Sequence, residues 1–334
     1  MKNATRIKFN KFTEHLATLN GVASAATAFS VAPVVQQKLE SRMQESSAFL
    51  ASINIIGVDD QAGDKVGVGV TGPIASRTNT AAGKVRKPRN VESTETDGYA
   101  CVQTNFDTQF TYRLLDAWAH RPDFQTLIRD AIIKRQALDR MTIGFNGVSI
   151  EPDTNLAAHP LLQDVNKGWL QKYRDKAAAR VMGSDAAKIK VGSDASAEYK
   201  NLDALVYDSI QLLDPWYHGD PDLVAILGRG LMHDKFFPLV NQEQPATETL
   251  ATDLVISQKR VGGLRAVTVP FFPEGKVLVT TLSNLSIYWQ IAARRRHVKD
   301  APEVDAVQNF ESSNDDYVVE DYGRGALIDG IELV

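Results

Sequence analysis

Apolar residues recur at spacings of three, four and seven from Phe124 through Leu127, Ile128, Ala131, Leu138 and Met141 to Phe145. That spacing puts them on one stripe of a helix, with Arg129, Lys134, Arg135 and Arg140 mostly off it. Pro122 suits the first turn, where a missing N–H costs nothing, and Asp123 sets a carboxylate at the positive end of the helix dipole. Gly144 and Asn146-Gly147 supply the stop. Residues 122–147 are therefore expected to form a rod about 30 Å long. It is either the spine of an elongated subunit or a core helix of an ordinary α/β domain.

The same period predicts other helices. Ile7, Phe9, Phe12, Leu16 and Leu19 mark an amphipathic one near the start. A second runs from Pro33 to about Leu50, its face marked by Val34 or Val35, Leu39, Met43, Ser46 or Ser47, and Leu50. Leu202, Leu205, Val206, Ile210 and Leu213 predict a third, ended by Asp214-Pro215. GRGLMHDKFFPLVN (228–241) predicts a fourth. Strands are expected at Ile53–Val58, in DPDLVAILGR (220–229), in DLVISQKR, LRAVTVP and KVLVTTL between 253 and 282, at 284–290, and between Tyr317 and Ile328. The elements mix without a regular βαβ repeat, so the class is α+β.

Between Gly63 and Asp107 the pattern changes. Val66, Val68 and Val70 alternate with Gly67 and Gly69, and alternation returns from Tyr99 through Cys101 to Phe110. The intervening stretch is polar and carries Arg77, Lys84, Arg86, Lys87 and Arg89. Two strand-like segments around a polar tip make a long hairpin. A connection this long is unusual in a compact domain, and a lone two-stranded ribbon is marginal in water. Either a second subunit covers it or it is an insertion without structure of its own.

Composition narrows the function. The chain has 334 residues, 43% hydrophobic and 23% charged, with a formal net charge of −4. It lacks the strongly basic balance of most nucleic-acid binders. One cysteine, Cys101, allows no intrachain disulfide. No apolar run approaches the ~18 residues of a membrane span. Residues 1–30 carry Lys2, Arg6, Lys8 and Lys11 against Glu14, then the small-residue run GVASAATAFS. A signal peptide would need a continuous apolar core that this segment lacks. A detachable arm and a frayed terminus both fit.

Candidate chemistry is sparse. Gly67, Gly69 and Gly72 match G-x-G-x-x-G, but Pro73 follows and no helical period begins there, against a dinucleotide site. The six histidines are not at metal-ligand spacing. No catalytic, metal-binding or cofactor-binding residue is expected. Arg294-Arg295-Arg296 is a dense basic run. It fits contact with the phosphates of a packaged nucleic acid, pairing with acids of a neighbouring subunit such as the 311–316 cluster, or a solvated face.

Several segments taken together resemble one family: MQESSAFLASINIIGVDD (43–60), VGVTGPIASRTNT (68–80), RDAIIKRQALD with GFNGV (129–148), LQDVNKGWLQKYRDKAAARVM (162–182), DPWYHGDPDLVAILGR (214–229), VISQKRVGGLRAVTVPFFP (255–273), LSNLSIYW (282–289) and NDDYVVEDYG (314–323). They resemble the major capsid protein of P2-like tailed bacteriophages along nearly the whole chain. The resemblance implies the HK97-like shell fold. Residues 1–60 become an N-terminal arm, with 1–30 a cleaved propeptide. Residues 61–107 become the extended loop, and 108–182 a peripheral domain with spine helix 122–147. Residues 183–283 become an axial domain, and 284–334 return to the peripheral domain.

It implies a non-enzymatic subunit, forming hexamers and pentamers of an icosahedral head around double-stranded DNA. Its partners would be a scaffolding protein that doubles as maturation protease, a portal protein and the packaged DNA, with assembly in the host cytoplasm and no membrane. Cleavage is expected at Phe29, Ser30 and Val31, just before Pro33. Arg77, Lys84, Arg86, Lys87 and Arg89 are expected to make intersubunit contacts from the loop. A nanocompartment shell of the same fold and a soluble α/β enzyme with an unrecognised site are the other readings.

Overall fold

The strand Ala306–Val319 runs fourteen residues through the middle of a seven-stranded sheet and is paired along both edges. One edge takes Arg295–Ala301 and then Leu285–Gln290. The other takes Thr108–Thr111 and then Val102–Asn105. Asn54–Val58 adds in parallel beyond Leu285–Gln290, and Phe29–Ser30 adds antiparallel beyond Arg295–Ala301 on the same side. The computed structural model describes residues 1–65, 75–88, 98–121, 124–240 and 259–334.

Among the described residues seven helices accompany the strands: α1 (Asn3–Asn20), α2 (Pro33–Glu45), α3 (Tyr112–Trp118), α4 (Phe124–Asn146), α5 (Trp169–Lys176), α6 (Leu202–Ser209) and α7 (Arg229–Val240). The helix expected over 122–147 is α4, 23 residues long. Pro122 and Asp123, expected in its first turn, lie outside the described residues. Its inner face differs from the expected stripe. Ala131 is exposed, whereas Ile132, Ile133, Gln136, Ala137 and Arg140 are buried. Burying an arginine requires carboxylates that local periodicity does not reveal.

The last turns of α4 are buried on every side because α5 crosses them closely. A Cβ on Gly144 would lie 2.3 Å from the Trp169 ring, so only glycine admits this approach. Trp169 is fully buried. Its ring meets Phe145 at 5.0 Å and Tyr317 at 5.4 Å, both edge-on, and its Nε1 donates to the Ser286 carbonyl at 3.1 Å. Each such aromatic pair contributes about 1 kcal/mol beyond its buried area.

A second sheet has the order Arg260–Val261, Leu264–Thr268, Leu223–Leu227, Lys276–Thr281, Ala326–Asp329, Val181–Met182. Its two faces line two different cores. Val224, Ile226, Leu278 and Leu327 point into the core around Trp169. Leu223, Ala225, Leu227, Val277, Val279, Ala326 and Ile328 face α6 and α7. A sheet covered on both faces explains why LVAIL reads as a continuous apolar run and not an alternating one.

The C-terminal strands leave the first sheet. Ala326–Asp329 lies between Lys276–Thr281 and Val181–Met182 in the second sheet, and Ile331–Leu333 pairs with Ile189–Val191. Residues 284–334 therefore do not return as one piece. The Ala326-Leu327-Ile328 run has apolar side chains for both faces, which suits a sheet covered on both sides.

The hairpin is described at its root and over 75–88. Ala62–Gly63 pairs antiparallel with Tyr99–Ala100. The expected alternation at Val66, Val68 and Val70 lies outside the described residues.

Candidate assembly sites

Five acidic or basic side chains from distant parts of the chain meet beneath α2, and all are buried: Glu40, Arg140, Arg294, Glu311 and Asp315. Glu40 comes from the inner face of α2, where Gln36, Glu40 and Met43 are buried at helical spacing. Arg140 comes from α4. Its Nε donates to Asp315 Oδ2 at 3.2 Å and its Nη2 to Oδ1 at 3.1 Å, while Nη1 donates to Glu40 Oε2. Arg294 donates through Nη1 to Glu40 Oε1 at 2.8 Å, through Nε to Glu311 Oε1 at 2.8 Å, and through Nη2 to Gln136 Oε1 at 2.7 Å.

The charges settle differently on Glu311 and Asp315, two of the three carboxylates of the long strand. Burial favours the neutral form of Glu311, but Arg294 and Arg296 outweigh it and hold the group at about 2. Burial dominates at Asp315 and raises its pKa in spite of Arg140. The cluster ties α2, α4 and the strand Ala306–Val319 together from within.

The expected basic surface run 294–296 is thereby split. Arg294 is 1% exposed and belongs to this internal cluster. Its acidic partners Glu40 and Glu311 are in its own chain. Arg295 is exposed, and Arg296 is half-buried with Nε donating to Asn309 Oδ1 at 2.8 Å. Only Arg295 and Arg296 remain for any surface role. Glu40, Gln136, Arg140 and Asp315 are the residues sequence reading missed. The available signal is the Gln36-Glu40-Met43 spacing on α2; of the expected face, Met43 is buried and Val35 and Leu39 partly so, whereas the alternative Val34 is 64% exposed.

Phe29 and Ser30 form the rim strand opposite Arg296 and Arg295. Val31 continues it, its N–H donating to the Arg294 carbonyl at 2.8 Å. Phe29 and Val31 are buried with Ala25, Leu16, Val22, Val35 and Leu39 around them. Ser30 is exposed, and its hydroxyl donates to the Ala292 carbonyl at 2.8 Å. The expected cleavage region is thus an ordered strand at a sheet rim.

Upstream, α1 lies in a seat made by α3, α4 and two strands. Phe9 and Phe12 pack with Leu115, Ile128, Ile132, Val298 and Val307. Polar groups fix the rim of this contact. The Lys2 backbone N–H and the Thr5 hydroxyl donate to Asp116 Oδ1 at 2.9 and 2.5 Å. Arg6 pairs with Asp300, whose other oxygen accepts from the Tyr112 hydroxyl at 2.6 Å. Burial would raise Asp300, but hydrogen bonds from Tyr112 and Arg6 and the Arg6 charge leave it below the usual carboxylate range.

At the hairpin root, the Ala100 N–H donates to Asp316 Oδ2 at 3.0 Å, and Lys172 Nζ donates to Oδ1 of the same carboxylate at 2.7 Å. The rings of Tyr99 and Tyr288 meet at a tilt of 59° with centroids 5.1 Å apart, beside Val58, Val318 and Cys101. Burial pushes the Cys101 thiol up to about 12. Farther along, Arg77, Lys84, Arg86 and Lys87 are exposed, as is Val85. Arg89 lies outside the described residues. Among the described residues, no group of His, Cys, Asp or Glu is placed to hold a metal ion, and no helix is long and apolar enough to cross a membrane.

A long helix across one sheet, a second sheet sharing its core, a hairpin rooted on the first and a separate N-terminal helix define the HK97-like fold of phage shell subunits. Solved structures agree. The chain superposes on a chain of the satellite phage P4 procapsid including size determination (Sid) protein, with TM-score 0.84 and 46% identity, covering 100% of this chain and 99% of that one. It superposes on the capsid of a native GTA particle with TM-score 0.52 at 14% identity, covering 86% and 91%, a likeness of fold alone.

The family model for the phage major capsid protein, P2 family, matches residues 8–331. The chain belongs to that family of phage major capsid proteins. It is 48% identical to the capsid proteins of Escherichia phage P2, over 100% of this chain and 96% of that one. It is 43% identical to the major capsid protein of Serratia phage KSP20, over 99% and 97%.

Proposed function

We infer that copies of this chain assemble as hexamers and pentamers of an icosahedral head enclosing double-stranded DNA. A scaffolding protein that is also a protease trims the chain near Phe29–Val31, and a portal protein occupies one vertex. Assembly takes place in the host cytoplasm. The first sheet with α4 serves as the peripheral unit, the second sheet with α6 and α7 as the axial unit, and the hairpin as the extended loop over a neighbour through Arg77, Lys84, Arg86, Lys87 and Arg89. Arg295 and Arg296 are available for weak, salt-sensitive contact with DNA or a neighbour.

The observation that carries this reading is how differently the two sides of Val31 are held. Residues before it are attached through two small clusters apart from the main core. Residues after it are bound by α2 through buried Glu40. The first part can leave without dismantling the second. The test is co-expression with the chain's own scaffolding protein, followed by electron microscopy and intact mass of the subunit. Closed shells with a subunit starting near Ala32 are expected. A soluble monomer, or shells whose subunits all keep Met1 or Lys2, would sink the corresponding half of the reading.

A further inference from the structure

We propose that a cavity between α1, α2 and α4 binds a small monocarboxylate with an apolar tail, and that this ligand holds the N-terminal segment in place. Its effect on processing rests on the reading that this segment is trimmed; its binding does not. The cavity has a volume of about 310 Å³, at the lower end of the range of ~300–1,000 Å³ usual for small-ligand sites. It lies where the two small clusters of the N-terminal segment meet. α1 lends Phe12, Leu16 and Leu19 to its wall, and α2 lends Val35 and Leu39. Such a lining takes up an aliphatic chain, each buried CH₂ being worth about fourfold in affinity.

The charge on the wall has one sign. Arg129 and Arg296 both line the cavity, and no Asp or Glu among the described residues does. Arg129 Nε donates to the exposed Asp130 at 2.8 Å. Arg296 makes no ion pair among the described residues. Its Nε donates to the neutral Asn309 side chain, and its two Nη groups have no hydrogen-bond partner among the described residues. Glu311 stands opposite it in the ladder, but accepts from Arg294 at 2.8 Å. Burial lowers the Arg296 pKa, with help from the Arg294 charge, and Glu311 opposes the fall only in part. A carboxylate in the cavity supplies the countercharge that this guanidinium lacks, in the planar geometry that arginine matches. The walls also come from both sides of Phe29–Val31. A ligand bound there is lost when α1 leaves. It therefore makes that departure rarer, by a factor of one plus its concentration over Kd.

The test exposes the full unassembled chain to a decanoate bearing a diazirine. Light should link it to residues 9–20 and 31–39, mapped by mass spectrometry. Octanoate should compete, and hexanoate about fifteenfold less well, for two fewer CH₂ groups. Octanol, which keeps the tail, and acetate, which keeps the charge, should each be at least tenfold weaker than octanoate. Arg296→Gln should lower the labelling about tenfold, the loss of one charge-assisted contact. Leu19→Trp, at a rim position 49% exposed, narrows the mouth away from the main core and should do the same. Links landing elsewhere, or octanol competing as well as octanoate, overturn the proposal. With the scaffolding protein present, octanoate at ten times its Kd should slow loss of the N-terminal segment about tenfold. The Leu19→Trp chain should be trimmed equally fast with or without it. An unchanged rate in the natural chain overturns the hold on α1. A chain that is labelled as expected but never trimmed overturns the trimming reading and leaves the binding site standing.

Discussion

Arg294 donates to Glu40 at 2.8 Å although 254 positions separate them in the chain. Arg140 binds the same carboxylate from the opposite side. One glutamate on α2 thus answers two guanidinium groups that have no access to water. Removing it leaves both charges buried with fewer partners, which typically costs about 3–5 kcal/mol. Glu40→Ala should lower the denaturant midpoint of the unassembled chain accordingly. Glu45→Ala, at an exposed position of the same helix, should shift stability by no more than about 0.5 kcal/mol. Equal effects at the two positions would show that the cluster contributes nothing special.

Glu311 predicts an acid-sensitive fold. Its folded pKa is about 2, below the ordinary value of 4.5. A depressed carboxylate stabilises the fold above its unfolded pKa, and that contribution is lost as pH falls toward the folded value. Unfolding free energy should therefore decline from pH 5 to pH 2. Glu311→Gln, already weakened at neutral pH, should show a shallower decline. Denaturant titrations at each pH check this, and parallel curves would refute the assignment.

Gly144 and Trp169 define a contact with no tolerance. A methyl group at position 144 would enter the indole ring. Gly144→Ala should destabilise by about 1–3 kcal/mol through overpacking, even though alanine favours helix. Differential scanning calorimetry would read this as a lower Tm. A raised Tm would mean that α5 moves aside at little cost.

Phe12 anchors α1 to α4. Truncating it removes about 3–5 kcal/mol of packing from a helix that is otherwise lightly attached. Phe12→Ala should speed tryptic cleavage after Lys8 and Lys11 at least tenfold, while the fragment beginning at residue 12 persists. Mass spectrometry of the time course distinguishes this from uniform degradation, which would indicate that α1 supports the whole fold.

How far the sequence revealed this structure depended on which contacts each residue makes. Where one face of an element meets apolar neighbours, periodicity was enough. α4, α6 and Leu223–Leu227 follow directly from their apolar spacing. It misled where buried groups are polar. Arg140 and Arg294 look like surface arginines because nothing near them in sequence supplies an acid. Glu40 and Asp315 come from 100 and 175 positions away from Arg140. The sheet that Ala326–Asp329 joins is not legible locally for a related reason, since strand order is set by long-range pairing and not by local pattern. The long-range resemblance supplied the fold class that periodicity left open, but not these internal partners.

The central strand has a mechanical consequence. Val102–Asn105 lies alongside Ala306–Val319 over four register pairs, from Asn105 opposite Ser312 to Val102 opposite Asp315. A pull on the hairpin acts along that strand, so its ladder is loaded in shear and all four pairs share the force. Phe29–Ser30 has only two pairs, at a free rim. Tension there acts like a zipper and opens them one after the other. A single sheet therefore contains both a joint built to bear load and one built to tear, and they lie on opposite margins of the same long strand and its neighbour.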